Sequence, residues 1–190
     1  MNNTIICIGV SAGGFRALET IFSILKPMAC PVLIVQHMSD DGGSYLSDHL
    51  NAIGQINVHF AQDKMPIQNG HAYIAPGGYH MLLEKNKRLT LSIDDRVSFS
   101  RPSIDVLFES VADVSGSETL GIVLTGANSD GTHGALEIRR AGGYIIAQSP
   151  NEAEASVMPH SVIKVNAANK ILTLKEIADY LNQTYSIEDD

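Results

Sequence analysis

The chain has 190 residues, with 21 Asp and Glu against 13 Lys and Arg, giving a formal net charge of −8. No Lys/Arg cluster is visible, so nucleic acid and anionic membrane surfaces are not expected as partners. A hydrophobic content of 44% suits a single domain spanning residues 1–190, with its core from about residue 4 to 182, and the apolar runs are too short to insert into a bilayer. Met1-Asn2-Asn3-Thr4 lacks a basic region followed by an apolar segment, so no secretory signal is read and a cytoplasmic setting is expected. Cys7 and Cys30 lie in or beside predicted buried strands and are expected to be reduced core thiols.

The chain opens with the apolar run Ile5-Ile6-Cys7-Ile8, which ends in the small-residue turn Gly9-Val10-Ser11-Ala12-Gly13-Gly14. A helical pattern follows from Phe15 to Leu25, so this segment reads as strand, tight turn and helix, half of a βαβ unit. The turn has three readings. It could be a phosphate or dinucleotide loop, although Ser11 stands where that pattern wants its middle glycine. No Gly-Lys-Ser/Thr follows, which excludes a P-loop. It could be a nucleophile elbow, because Gly9 to Gly13 fits G-x-S-x-G. Or it could simply let a helix pack closely on a strand. The turn alone favours the first and third readings together, since such short patterns match often by chance.

Pro27 and Pro31 bracket a loop before the continuous apolar strand Val32 to Val35, which ends at Gln36-His37-Met38. Such a run suits a parallel strand covered on both faces. A helix is predicted from about Ser44 to Ile53, then short strands at Ile56–Phe60 and His71–Ala75. Met81–Leu83 and Leu89–Ile93 flank the polar turn Glu84 to Arg88 and predict an antiparallel hairpin. Asp94 to Arg101 reads as a loop. Pro102 opens a helix over Ser103 to Val114, in a first turn where its missing N–H costs nothing. Strand Leu120–Leu124 leads into the turn Thr125-Gly126-Ala127-Asn128-Ser129-Asp130-Gly131. A helix over Thr132 to Ala141 follows, closed by Gly142-Gly143. Tyr144–Ala147 is a strand, Glu152–Val157 a short helical segment before Pro159, Ile163–Val165 a short strand and Leu174–Leu181 a terminal helix.

Strands and helices alternate at both ends with a hairpin inserted. That pattern predicts a three-layer α/β fold, doubly wound around a mainly parallel sheet, with one antiparallel hairpin. Ligands of such sheets bind beyond the carboxyl ends of the strands. Three of those ends carry Ser11, His37 and Asp130. A serine hydroxyl needs a base within reach, and the base needs an acid to hold its tautomer, so these are the right residue types for a nucleophilic triad. The chain order Ser, His, Asp differs from that of α/β-hydrolases, which argues against that family.

Other residues are expected to serve structure. His71 and His80 read as pocket or packing residues, His133 and His160 as cleft-edge candidates, and His49 as helix surface or partly buried. Arg101 and Asp105 are candidates for a local pair, and Met38 and Met158 for apolar cleft lining. No H-E-x-x-H or C-x-x-C spacing occurs, so neither a metal nor a cofactor is expected.

Five segments in register carry a family resemblance: Ile8 to Gly14, Ile34 to Met38, Gly70 to Gly77, Arg101 to Phe108, and Leu124-Thr125-Gly126 with Asp130-Gly131. In this order they resemble the catalytic domain of the chemotaxis protein-glutamate methylesterases, the CheB family, from Ile5 to about Leu181. The resemblance implies a serine hydrolase that cleaves methyl esters of glutamate side chains on methyl-accepting chemotaxis receptors. Methanol would be released, and some receptor glutamines deamidated. It implies Ser11 as nucleophile, His37 as general base and Asp130 as the residue orienting that histidine. The backbone at Ala12, Gly13 and Ala127 is the expected oxyanion site. The expected partners are cytoplasmic receptor helices and a separate receiver or regulator protein, because the resemblance covers only the family's esterase part and a stand-alone enzyme, without the N-terminal receiver domain, is expected. The chain departs from the family at Ala12, where Thr is usual, and at Ala127, where Met is usual. Those departures sustain an alternative, a catalytically silent module that binds a receptor or regulator.

Overall fold

The computed structural model describes residues 3–38 and 45–187. Strands β1 (Ile5–Val10), β2 (Val32–Gln36), β3 (Asn57–Phe60), β4 (His71–Ile74), β7 (Thr119–Val123), β8 (Tyr144–Gln148) and β9 (Lys170–Leu172) form one seven-stranded sheet. Its order is β3-β4-β2-β1-β7-β8-β9, and every neighbouring pair is parallel. Strands β5 (His80–Leu83) and β6 (Leu89–Ser92) form a separate antiparallel pair. The helices are α1 (Gly14–Phe22), α2 (Tyr45–Ile53), α3 (Ile104–Ser115), α4 (Thr132–Arg140), α5 (Val157–Lys164) and α6 (Leu174–Tyr185). The expected class, a doubly wound and mainly parallel α/β sheet with one hairpin, is the class observed.

Alternation along the central strand builds two cores. Ile6, Ile8 and Val10 face a cluster completed by Leu18, Ile21, Leu50, Ile177 and Leu181 from α1, α2 and α6. Ile5 and Cys7 face the opposite cluster, with Ile104, Phe108, Ile138 and Val162 from α3, α4 and α5. With both faces covered, β1 is buried along its whole length, which is why it reads as an unbroken apolar run. Gly9 sits on the second face. A Cβ there would lie 2.3 Å from Ile104 Cγ2, so glycine lets the start of α3 close onto the strand. Cys7 and Cys30 are buried free thiols, and burial pushes the Cys30 thiol up to about 12.

Four expectations need correction. Helix α5 spans Val157–Lys164, so Glu152 to Ser156 is not helical and Ile163 to Val165 is not a strand. Pro159 falls in the first turn of α5, where no intrahelical bond needs its N–H. The sheet instead closes on β9, a three-residue edge strand paired with β8. Pro102 lies outside α3, because Ser103 is the N-cap and Ile104 the first helical residue. Helix α1 ends at Phe22 rather than at Leu25. The predicted start of α2 at Ser44 lies outside the described residues.

Candidate active site

Parallel pairing sets the carboxyl ends of β1, β2 and β7 side by side. Beyond them the backbones stay joined. The Leu124 N–H donates to Gly9 O at 2.9 Å, the Ser11 N–H to Thr125 O at 2.9 Å, and the His37 N–H to Val10 O at 3.0 Å. The Gln36 side-chain amide donates to both Ser11 O and His37 O, at 3.0 and 2.9 Å. Thr125 Oγ1 donates to Ala12 O at 2.8 Å and accepts from the Ala155 N–H at 2.8 Å. The segments after the three strands are thereby locked in register, and Ser11, His37 and Asp130 converge.

His37 Nδ1 lies 3.2 Å from Ser11 Oγ, and His37 Nε2 lies 2.7 Å from Asp130 Oδ2. The tautomer follows from the partners. An ionised carboxylate only accepts, so the ring proton belongs on Nε2, and the Nδ1 lone pair faces the serine hydroxyl. That is the protonation state a general base needs.

Asp130 is fully buried, and its carboxylate is saturated with donors. Oδ1 accepts from Ser103 Oγ at 2.9 Å, the Gly131 N–H at 3.0 Å and the Asp105 N–H at 3.1 Å. Oδ2 accepts from the Ile104 N–H at 2.7 Å and from His37. The donors Ile104 and Asp105 are the first two residues of α3, and Gly131 caps α4. Two helix N-termini therefore face one carboxylate, an arrangement that favours negative charge. Burial pushes the Asp130 pKa up, but the bonds from His37, Ile104 and Asp105 outweigh it, and the group sits below the usual carboxylate range.

Asp105 is the counterpart. Its Oδ1 accepts from the Gly134 N–H in α4 at 2.7 Å. Burial first, and then the charge on Asp130, raise its pKa to about 6 against the opposing Gly134 bond. The two carboxylates thus part company: Asp130 takes the donors and stays ionised, and Asp105 bears the cost.

Several supporting residues were not singled out from the sequence. Ser103 and Gln36 are described above. His80, which the sequence did single out as a pocket or packing residue, is 1% exposed, accepts from the Ser103 N–H on Nδ1 at 3.2 Å and donates from Nε2 to Asp95 O at 3.0 Å. It fixes the segment that wraps Asp130. Gln148 Oε1 accepts from the Thr125 N–H at 2.8 Å. A polar residue ending an apolar strand, such as Gln36 or Gln148, is the one signal that could have flagged them.

A cleft of roughly 760 Å³ opens beside Ser11 and His37, walled by Phe15, Arg16, Met38 and Tyr45. Met38 lines it as expected. Met158 does not: it is buried, and its side chain presses under Gly126, where a Cβ would lie 2.5 Å from Met158 Cε. Arg101 and Asp105 do not pair, because Arg101 donates to Ile93 O and Asp94 O. His133 bonds Glu109 on the α3–α4 face, away from the cleft, and His49 bonds Glu19. His71 stacks on His59 at the sheet edge. The N–H of Gly126 is taken by Ala155 O. Ala12 and Ala127, the two departures, are exposed. Gly13 caps α1 at φ 77, a conformation natural to glycine, and no acidic side chain occupies the first turn of that helix.

Residues 6–181 match the family model described as CheB methylesterase. The chain belongs to this family. Among its relatives, a Leptospira interrogans protein provisionally named protein-glutamate methylesterase/protein-glutamine glutaminase is 42% identical over 180 residues, covering 94% of this chain and 93% of the relative. A Rhodopseudomonas palustris protein named protein-glutamate methylesterase/protein-glutamine glutaminase of group 3 operon is 43% identical over 176 residues, 91% of this chain but 48% of the relative. The chain thus spans nearly all of the first and about half of the second. The crystal structure of the Thermotoga maritima CheB methylesterase catalytic domain superposes with a TM-score of 0.92 at 32% identity, covering 96% of this chain and 99% of that one.

Proposed function

We propose that the protein is a serine hydrolase that cleaves methyl esters of glutamate side chains on chemotaxis receptors and releases methanol. The observation that carries the reading is the continuous hydrogen-bonded line from Ser11 Oγ through His37 to a buried, ionised Asp130. His37 Nδ1 takes the Ser11 proton as Oγ attacks the ester carbonyl. Asp130 meets the positive charge that then forms on the imidazole. Negative charge grows on the carbonyl oxygen, and the N–H groups of Ala12 and Gly13, at the start of α1, with that of Ala127 are the donors assigned to it. The Ser11 N–H is committed to Thr125 O and takes no part. A backbone donor does not depend on its side chain, so alanine at positions 12 and 127 is compatible with this role. His37 next protonates methoxide as it leaves, and a water molecule repeats the sequence on the acyl-enzyme, yielding the free glutamate carboxylate. A glutamine carboxamide attacked in the same way loses ammonia, which is the glutaminase activity carried in the relatives' names.

The test is methanol release from membranes carrying methylated receptors. Ser11→Ala is expected to abolish it, by roughly up to 10⁶-fold, and His37→Ala is expected to abolish fluorophosphonate labelling of Ser11. Labelling at the parental rate in His37→Ala would refute the mechanism. Receptor binding without turnover in the parent protein would favour the silent module.

A further inference from the structure

Phe99 is 95% exposed, the most exposed large apolar side chain among the described residues. It sits at the tip of a tight turn in which Val97 and Ser100 exchange both backbone hydrogen bonds, at 3.1 and 2.9 Å. The two central residues, Ser98 and Phe99, have φ values of 50 and 64. That is the left-handed geometry of a two-residue hairpin turn, which normally selects Asn and Gly. Here the chain accepts backbone strain in order to hold a phenyl ring in water, and within the molecule nothing is gained by it. The turn is also fastened at its base, where Arg101 donates to Ile93 O and Asp94 O at 2.7 and 3.0 Å.

The turn borders the catalytic base. Ser100 Oγ lies 3.5 Å from His37 Nδ1, and Phe99, Arg96 and His37 share one hollow. His37 and Met38 also line the larger cleft, which holds Arg16 and Tyr45. Arg96 and Arg16 are both exposed, and neither has an ion-pair partner among the described residues. Among the described residues, the only carboxylate lining either hollow is Glu154. The two hollows are lined, among the described residues, by Arg16, Arg96 and Arg101 against that one glutamate, in a chain of net charge −8.

We propose that the 93–101 loop is the substrate-reading hook of the site: Phe99 packs on apolar residues of an acidic amphipathic helix whose methylated glutamate lies at Ser11, while Arg96 and Arg16 meet that helix's carboxylates at the two hollows that share His37. This rests on the methylesterase reading above and assigns its specificity. A helix suits the geometry because residues three and four apart share one face at about 5–6 Å. A ring anchored one turn from the scissile ester would thus fix which glutamate enters.

The experiment compares kcat/KM for methanol release from methylated receptor membranes with kcat/KM for p-nitrophenyl acetate, in the parent, Phe99→Ala, Phe99→Leu and Arg96→Ala. In Phe99→Ala the receptor-to-small-ester ratio is expected to fall about tenfold or more, mainly through KM, as for a buried aromatic anchor. Phe99→Leu should restore most of it. Arg96→Ala should lower the ratio a few-fold at low salt, and the difference should shrink as salt rises. An unchanged ratio in Phe99→Ala, with the parent turning over receptor, overturns the hook and leaves the esterase standing. A parent that hydrolyses p-nitrophenyl acetate but not receptor overturns the receptor reading, and the hook with it.

Discussion

Asp130→Asn separates the charge of this residue from its shape. The carboxylate accepts five hydrogen bonds on two oxygens, and an amide must turn one oxygen into a donor. If the new NH₂ takes the Oδ1 place, it confronts the N–H groups of Asp105 and Gly131, while Ser103 can rotate its hydroxyl to accept. Two buried donors are then stranded, at about 1–3 kcal/mol each. If it takes the Oδ2 place, only the Ile104 N–H is stranded, because His37 can move its proton to Nδ1 and accept on Nε2. The second arrangement is therefore the cheaper one, and it turns an N–H, not a lone pair, toward Ser11. The expected result is an intact fold with a disabled base: stability lower by about 1–3 kcal/mol, a melting point lower by roughly 2–10 °C, and turnover reduced by about 10⁴, the loss known for the corresponding change in a serine protease. Fluorophosphonate labelling rates and thermal melts on the same samples measure both. Labelling within tenfold of the parent, with the melting point lowered, would refute the reasoning and leave Asp130 as a structural clamp only.

Asp105→Asn tests the second carboxylate. Its pKa is raised to about 6, so the folded state prefers the neutral group; the stability it contributes is present at acid pH, below its ordinary value, and is lost as pH rises through about 6. An asparagine keeps an acceptor for the Gly134 N–H and carries no charge, so urea unfolding should show the variant more stable than the parent at pH 8, by at most about 3 kcal/mol, and not at pH 4. A gain equal at both pH values would contradict the assignment. Gly9→Ala drives a methyl into Ile104 Cγ2 and should cost about 1–3 kcal/mol by overpacking. It should also lower labelling, because Ile104 donates to Asp130. Ile104→Ala in the same chain should return part of the stability, and failure of the pair to recover any would count against the contact.

The layers of the fold were readable because buried parallel strands and amphipathic helices leave different periodicities. The three residues at the site were readable because each follows an apolar strand. What surrounds them was not. Asp130 is held by Ser103, Ile104 and Asp105, which belong to another strand-helix connection, and no sequence pattern records that two helix starts will meet one carboxylate. Arg101 and Asp105 suggested a local pair by proximity in sequence, yet one reaches back to its own loop and the other across to α4. At Pro159 a general breaker rule misled, since a proline in a first turn breaks nothing. Strand β9 escaped notice because three residues at a sheet edge, mostly exposed, carry no alternation to read.

The position of β1 has a consequence for how the protein acquires activity. The strand comes first in the chain and its neighbour β2 is close in sequence, but its other neighbour is β7, through Ile5 opposite Thr119. Until that long loop closes, the future centre of the sheet is an open edge, with unpaired backbone groups exposed to other chains. Long-range parallel pairing of this kind is slow. Asp130 arrives only with β7, so in the proposed mechanism a ribosome-bound or refolding chain can be rich in helix, and even half-paired, while His37 lacks the carboxylate that orients it. Catalytic competence is then a late signal that reports closure of the topology, and during refolding it should lag behind the recovery of secondary structure.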